Sequence, residues 1–117
     1  MVGLMRRGEV WLANLNPPRG SEIGKIRPVV VMQAPELDAG ITPMVVVLPM
    51  TTKMIDGLKR FRVTVPARDR LKQASQIVTD QPRALDRVRI VDGPLTTLTA
   101  DEISAVESGL GIVLGLR

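Results

Sequence analysis

Arg27-Pro28-Val29-Val30-Val31 is the stretch on which the reading of this chain turns. Three successive valines are stiff at χ1 and suit a pleated strand. Pro28 is tolerated at a strand's first positions or at an edge. A strand over Arg27–Gln33 follows, with a guanidinium at its head. Downstream, Met44-Val45-Val46-Val47-Leu48 is wholly apolar and rich in valine, so it reads as a strand buried on both faces. It runs into Pro49-Met50-Thr51-Thr52-Lys53. If the two strands lie side by side, Arg27 and Thr51 stand close together.

The flanks extend the pattern. Glu9 to Leu15 alternates as a first strand, with Val10 and Leu12 on one face and Trp11 and Ala13 on the other. Asn16-Pro17-Pro18-Arg19-Gly20 ends it and opens a long polar loop to Lys25 that carries Ser21 and Glu22. Pro35 to Pro43 is a second loop, broken by Gly40. Thr51 to Lys59 is a polar turn region around Asp56-Gly57. Phe61 to Val65 alternates as a half-exposed strand, and Arg68 to Lys72 reads as exposed. Ser75 to Asp80 is a short strand stopped by Gln81-Pro82-Arg83, and Arg87 to Val91 is a further short strand. Thr99-Ala100-Asp101-Glu102 fits a capping box. Ile103, Val106, Leu110, Val113 and Leu114 then recur at helical spacing, predicting a helix from about residue 100 to 114. Strands followed by one late amphipathic helix predict a mostly-β, α+β, barrel-like fold.

Composition narrows the function. At 117 residues the chain is expected to be one domain, residues 1–117, around one core. It has no histidine and no cysteine, which removes the commonest acid–base residue, thiol chemistry, disulfides and cysteine-held zinc. That usage fits a cytoplasmic protein. No stretch approaches the roughly 20 apolar residues of a membrane helix. No apolar segment follows Arg6 and Arg7, so neither a membrane span nor a signal peptide is expected. The net charge of +4 comes from 16 basic and 12 acidic residues, and all the basic ones except Arg117 lie between Arg6 and Arg89. Such an excess favours a polyanionic partner, and it equally serves solubility. Trp11 and Phe61 are the only aromatic residues, too few for a stacking platform.

Five fragments carry a resemblance: Gly8-Glu9-Val10-Trp11, Gly20-Ser21-Glu22, Arg27 to Val31, Pro49-Met50-Thr51-Thr52, and Asp80-Gln81 followed by Arg83. In this order and spacing they resemble the MazF/PemK family of toxin endoribonucleases over nearly the whole chain. The resemblance implies a small SH3-like barrel and a homodimer. It implies metal-independent, sequence-specific cleavage of single-stranded RNA with no cofactor. It also implies a cognate antitoxin whose C-terminal segment covers the RNA groove. Ala84 departs from the pattern, since many members carry a hydroxyl residue there.

The residues suit that chemistry. The RNA 2′-hydroxyl can attack its own phosphate, leaving a cyclic phosphate and a 5′-hydroxyl, if the protein aligns the backbone, neutralises the phosphoryl oxygens and moves protons. Arg27 matches the family's catalytic arginine; its planar fork can donate two hydrogen bonds to phosphate, and it does not deprotonate. Thr51 matches the family's catalytic threonine and could donate to a phosphoryl oxygen. Glu22 could accept the proton or contact a base; it could also be a solvated loop carboxylate. Ser21, Lys25, Thr52 and Lys53 are candidate RNA-binding residues; Lys25 and Lys53 could also be simply solvated, and near a phosphate path they would add affinity. Gln81 and Arg83 could read base edges, as unpaired RNA is usually read, or could simply end a strand. The alternatives are a non-catalytic CcdB-like gyrase poison and an RNA- or protein-binding barrel.

Overall fold

The computed structural model describes residues 4–37, 41–57 and 61–116; the expected breaker Gly40, the end of the turn at Lys59 and the terminal Arg117 lie outside these. Seven strands form one sheet: β1 (Glu9–Asn14), β2 (Ile26–Val31), β3 (Met44–Thr51), β4 (Arg62–Val65), β5 (Ser75–Val78), β6 (Arg83–Asp86) and β7 (Ile90–Thr97). Helix α1 (Ala100–Val113) follows. The strand order is β4-β5-β3-β2-β1-β7, with β6 also on β3, and every pairing is antiparallel.

The alternation of strand side chains divides the sheet into two packed faces. On one face, Val10, Val30, Leu48, Met50, Val65, Ile77 and Leu95 meet Val106 of α1 in a single cluster. These residues come from strands at both ends of the sheet order as well as its centre, so the sheet curls around the helix as a half-barrel. On the other face, Trp11, Ala13, Val29, Val31, Val45 and Val47 pack with Met5, Leu15, Leu85 and Ile90. The double covering explains the near-continuous apolar run at Val29–Val31. The mostly-β, α+β barrel expectation therefore holds. Trp11 is buried. A Cβ on Gly93 would come within 2.5 Å of the Trp11 ring, and the backbone there has φ +154. Glycine at this position gives the indole its place.

Several local expectations change. Met44 and Val46 are exposed, and only from Val47 to Met50 is β3 continuously buried, because the apolar clusters cover its second half. Gln81-Pro82-Arg83 does not end the sheet. Arg83 opens β6, which pairs with β3 from Val47↔Arg83 to Met44↔Asp86. Arg87–Arg89 is a 3-10 turn, and the strand that follows reaches Thr97 despite Pro94. Within the supposedly exposed Arg68–Lys72, Leu71 is buried.

The helix stands as expected. The Thr99 side chain accepts from the Glu102 N–H at 3.1 Å, and Glu102 reaches back to the Thr99 N–H at 2.9 Å. Gly109 and Gly111 lie inside the helix and are buried.

Candidate functional site

The site is organised by the register of β2 on β3. The ladder runs Val31↔Val47, Val30↔Leu48, Val29↔Pro49. Carried two residues further, the same register sets Arg27 across from Thr51. The two are in phase with Val29 and Pro49 and so share one face. Residues directly opposite in an antiparallel pair have Cβ atoms about 5 Å apart. Pro28 and Pro49 lack amide hydrogens, which accounts for ladder bonding stopping here. On its other edge β2 pairs Arg27 with Ala13 of β1. Thr51 pairs with Gln76 of β5, and Gln76 with Thr64 of β4. Arg27, Thr51, Gln76 and Thr64 thus form a polar row on the face whose centre is the Trp11–Val29–Val47 cluster.

Arg27 is half-buried, and its Nε is buried without a hydrogen-bond partner. Such an orphaned donor is unusual in a folded protein. It leaves a guanidinium uncommitted to any protein acceptor among the described residues. Thr51 is also half-buried; its Oγ1 accepts the Lys53 N–H at 3.1 Å, leaving the hydroxyl proton free to donate outward. Thr52 and Lys53 are exposed just beyond it. Gln76 is occupied: its Oε1 accepts from the Ile55 N–H at 3.0 Å, which folds the turn after β3 back over β5.

The long β1–β2 loop is a braced structure. Leu15 N–H donates to Lys25 C=O at 2.8 Å, and Lys25 N–H donates to Asn16 Oδ1 at 2.8 Å. Lys25 itself is exposed. Glu22 is exposed, and its Oε1 accepts the Arg19 N–H at 2.8 Å while its own N–H bonds Arg19 C=O, so this carboxylate ties its own turn. Ser21 is exposed beside it.

Gln81 and Arg83 turn toward this loop. Gln81 Oε1 accepts the Ile23 N–H at 3.2 Å, and its Nε2 lies 3.5 Å from Ser21 C=O. Arg83 Nη1 donates to Ile23 C=O at 3.2 Å and lies 3.5 Å from Leu15 C=O. Both side chains hold backbone that carries Ser21 and Glu22.

The register therefore puts Arg27 and Thr51 on the same face of the sheet, two residues past the last β2–β3 ladder partners, and the loop contacts gather Ser21, Glu22, Gln81 and Arg83 as a second group. The sequence reading missed two arginines. Arg89 bonds Asn14 C=O at 3.2 Å and also the Asn16 C=O, anchoring the start of the loop. Arg62 of β4 lies on the Arg27–Thr51 face with two buried, unpartnered nitrogens.

A cavity of about 600 Å³ opens beside Pro28 and Thr52, walled by Leu12, Arg70, Leu71 and Leu95. Neither Arg27 nor Thr51 lines it, as expected for strand neighbours that point to the opposite side. Among the described residues, no group of three or more histidine, cysteine, aspartate or glutamate side chains could hold a metal ion. No described helix is long and apolar enough to cross a membrane.

Comparison with known proteins supplies the context. Residues 6–114 match a family described as the PemK-like, MazF-like toxin of type II toxin–antitoxin systems. The chain is 35% identical, over 121 aligned positions, to an endoribonuclease MazF of Staphylococcus epidermidis, covering 97% of this chain and 94% of that protein. A crystal structure of MazF from Deinococcus radiodurans superposes with a TM-score of 0.81 at 30% identity, over 97% of this chain and 99% of that one. A MazE–MazF crystal structure from the same organism superposes with a TM-score of 0.75 at 29% identity, over 99% and 100% of the two chains.

Proposed function

The chain belongs to the PemK-like, MazF-like family of type II toxins and is an endoribonuclease, and from that premise we propose how it cuts. Its substrate is single-stranded RNA. The 2′-oxygen attacks the adjacent phosphorus, the bond to the 5′-oxygen breaks, and the products are a cyclic phosphate and a 5′-hydroxyl. Arg27 donates to the phosphoryl oxygens as charge gathers on them, and Thr51 donates a further hydrogen bond to the same phosphate. Neither role needs a metal ion. The 2′-hydroxyl proton leaves to an exposed carboxylate, for which Glu22 is the candidate, and a proton is returned to the departing 5′-oxygen.

One observation carries this reading: Arg27 keeps a buried donor without a protein acceptor on the same face and at the same strand ends as Thr51. A phosphate would supply that acceptor. Lys25 and Lys53, both exposed, add attraction along the RNA path. Ser21, Gln81 and Arg83 complete the RNA-facing surface, the last two by setting the β1–β2 loop as well as by any base contact, whereas Thr52 lines the cavity on the other side of the strand.

The partners follow the family. An antitoxin restrains the protein; the Deinococcus relative has been solved as a MazE–MazF structure. The chain acts as a single domain, as a homodimer and in the cytoplasm.

The test is cleavage of a long unstructured RNA with and without a chelator, followed by analysis of the ends. Cutting in both conditions, with cyclic or 3′-phosphate ends upstream, is the expected outcome. An intact RNA removes the nuclease reading, and 3′-hydroxyl ends remove attack by the 2′-oxygen.

A further inference from the structure

We infer that Arg62 is a second RNA-backbone clamp, gripping a phosphate that flanks the scissile linkage. The inference rests on the ribonuclease reading and adds to it a residue on a different strand.

The register fixes where Arg62 lies. Arg62 pairs with Val78 and Thr64 with Gln76, so both β4 residues share a face with Gln76. Gln76 pairs with Thr51, which places Arg62 on the face that carries Thr51 and Arg27. A 3.5 Å approach of Gln76 Nε2 to Thr64 Oγ1 across the two strands agrees with this facing. The opposite face of β4 is spoken for: Val63 and Val65 pack into the cluster that contains Val106 of the helix.

Charge accounting makes the position unusual. Nε and Nη1 of Arg62 are both buried and have no hydrogen-bond partner. Among the described residues, the only other buried side-chain nitrogen or oxygen in that condition is Nε of Arg27. The other half-buried arginines among the described residues are committed: Arg7 to Glu107 and the carbonyls of Met32 and Gln33, Arg68 to Glu102, Arg83 and Arg89 to the β1–β2 loop, and Arg87 to the carbonyls of Leu37 and Thr42. Burying guanidinium donors unpaired is unfavourable, and the cost is relieved when an anionic acceptor arrives. Two such groups on one face select a ligand with more than one negative charge.

Their spacing suits a nucleic acid strand. From β2 to β4 there are three strand steps, through β3 and β5. At about 4.8 Å per step, and with Arg62 two residues (about 6.6 Å) along β4 from Thr64, the separation measured over the sheet is about 16 Å. A stacked strand advances about 3.4 Å per nucleotide, so the span corresponds to about five stacked nucleotides and to fewer extended ones. The row between the two arginines holds Thr51, Gln76 and Thr64, which are polar and carry no negative charge to repel a phosphate.

The test uses a fluorescent, mixed-sequence single-stranded oligonucleotide with 2′-deoxy sugars, which keeps every phosphate and lacks the attacking hydroxyl. Its affinity is measured against salt for the unmutated protein, Arg62→Gln and the control Arg70→Gln. Arg62→Gln is expected to bind roughly tenfold more weakly, as for loss of a charge-assisted hydrogen bond. The slope of log K against log salt should shrink by about 0.7, the contribution of one single-strand phosphate contact. Arg70→Gln should change neither.

If the unmutated protein binds and Arg62→Gln binds identically with the same slope, the clamp is refuted while the ribonuclease reading stands. If the unmutated protein does not bind, the RNA reading itself is refuted. A changed sequence preference at an unaltered slope also overturns the clamp, because it assigns Arg62 to a base edge. Arginine modification of the unmutated protein by phenylglyoxal, read by mass spectrometry, decides the matter should the variant misfold. The oligonucleotide should protect Arg62 together with Arg27, and an Arg62 equally reactive with and without it refutes the clamp.

Discussion

Arg68 and Glu102 meet through two hydrogen bonds, Nη1 to Oε2 at 2.9 Å and Nη2 to Oε1 at 2.5 Å. The same carboxylate closes the capping box on Thr99, and Arg68 also donates to Thr96 Oγ1 and to the Thr97 carbonyl. One guanidinium therefore joins the segment after β4, the end of β7 and the first turn of α1. Its hydrogen bonds hold the Glu102 carboxyl below its ordinary value near 4.5, outweighing the opposing effect of burial.

The sign of the pH dependence follows. A carboxyl whose folded value is depressed binds protons more readily in the unfolded chain, so it stabilises the fold above the ordinary carboxylate range. That stabilisation is lost as pH falls below about 4.5 and through the depressed folded value. Thermal melts should therefore fall more steeply over this range for the unmutated protein than for Glu102→Gln. Parallel acid profiles would remove Glu102 as the source.

Arg27→Ala should separate activity from stability. The buried Nε has no partner to lose, so the melting temperature should hold or rise. Cleavage should drop by about a hundredfold or more, the usual effect of deleting a donor to a developing oxyanion. Melting and single-turnover cleavage of the same preparation check both halves. A destabilised but fully active variant would contradict the assignment.

Thr51 can be resolved to its hydroxyl. Thr51→Val keeps the shape and removes the donor; Thr51→Ser keeps the donor. Cleavage should fall by about tenfold or more in the first and stay near the original rate in the second. The bond from the Lys53 N–H is lost only in the valine variant, and because Lys53 is exposed, the stability change should stay within about 1 kcal/mol.

Gln81→Ala should loosen a loop that is distant in sequence. Without the amide's contacts to Ile23 and Ser21, limited proteolysis should cut between residues 15 and 25 faster than in the unmutated protein. RNA cleavage should weaken across all sequences. A selective loss at one base position, with the loop still protected, would instead make Gln81 a base reader.

The helix and the first strands were legible because their signals are local. Thr99 and Glu102 state a cap within four residues, and the valines of β2 state burial directly; in β3 they state the strand, while Val46 faces out. The second half of the sheet was not. Arg83-Ala84-Leu85-Asp86 has no strong alternation and becomes a strand because β3 offers it an edge, while Pro94 masks a strand that continues to Thr97. Arg27 and Thr51 could be picked out from strand logic and family resemblance together. The loop-holding role of Gln81 joins residues 58 apart and leaves no trace in spacing. Arg62 was invisible for a related reason. In Phe61-Arg62-Val63-Thr64-Val65 it reads as the wet side of an alternating strand, and only the docking of β4 beside β5 gives that side a purpose.

The two uncommitted guanidiniums bear on how the free and restrained forms differ. Cationic groups held partly out of water make the unliganded chain the thermally weaker form. Any polyanion that seats across Arg27 and Arg62, whether transcript or acidic inhibitor tail, lifts the denaturation point by favouring the folded side of the equilibrium. On the proposed reading, the polyanion-bound chain would then outlast heat that disables the free nuclease.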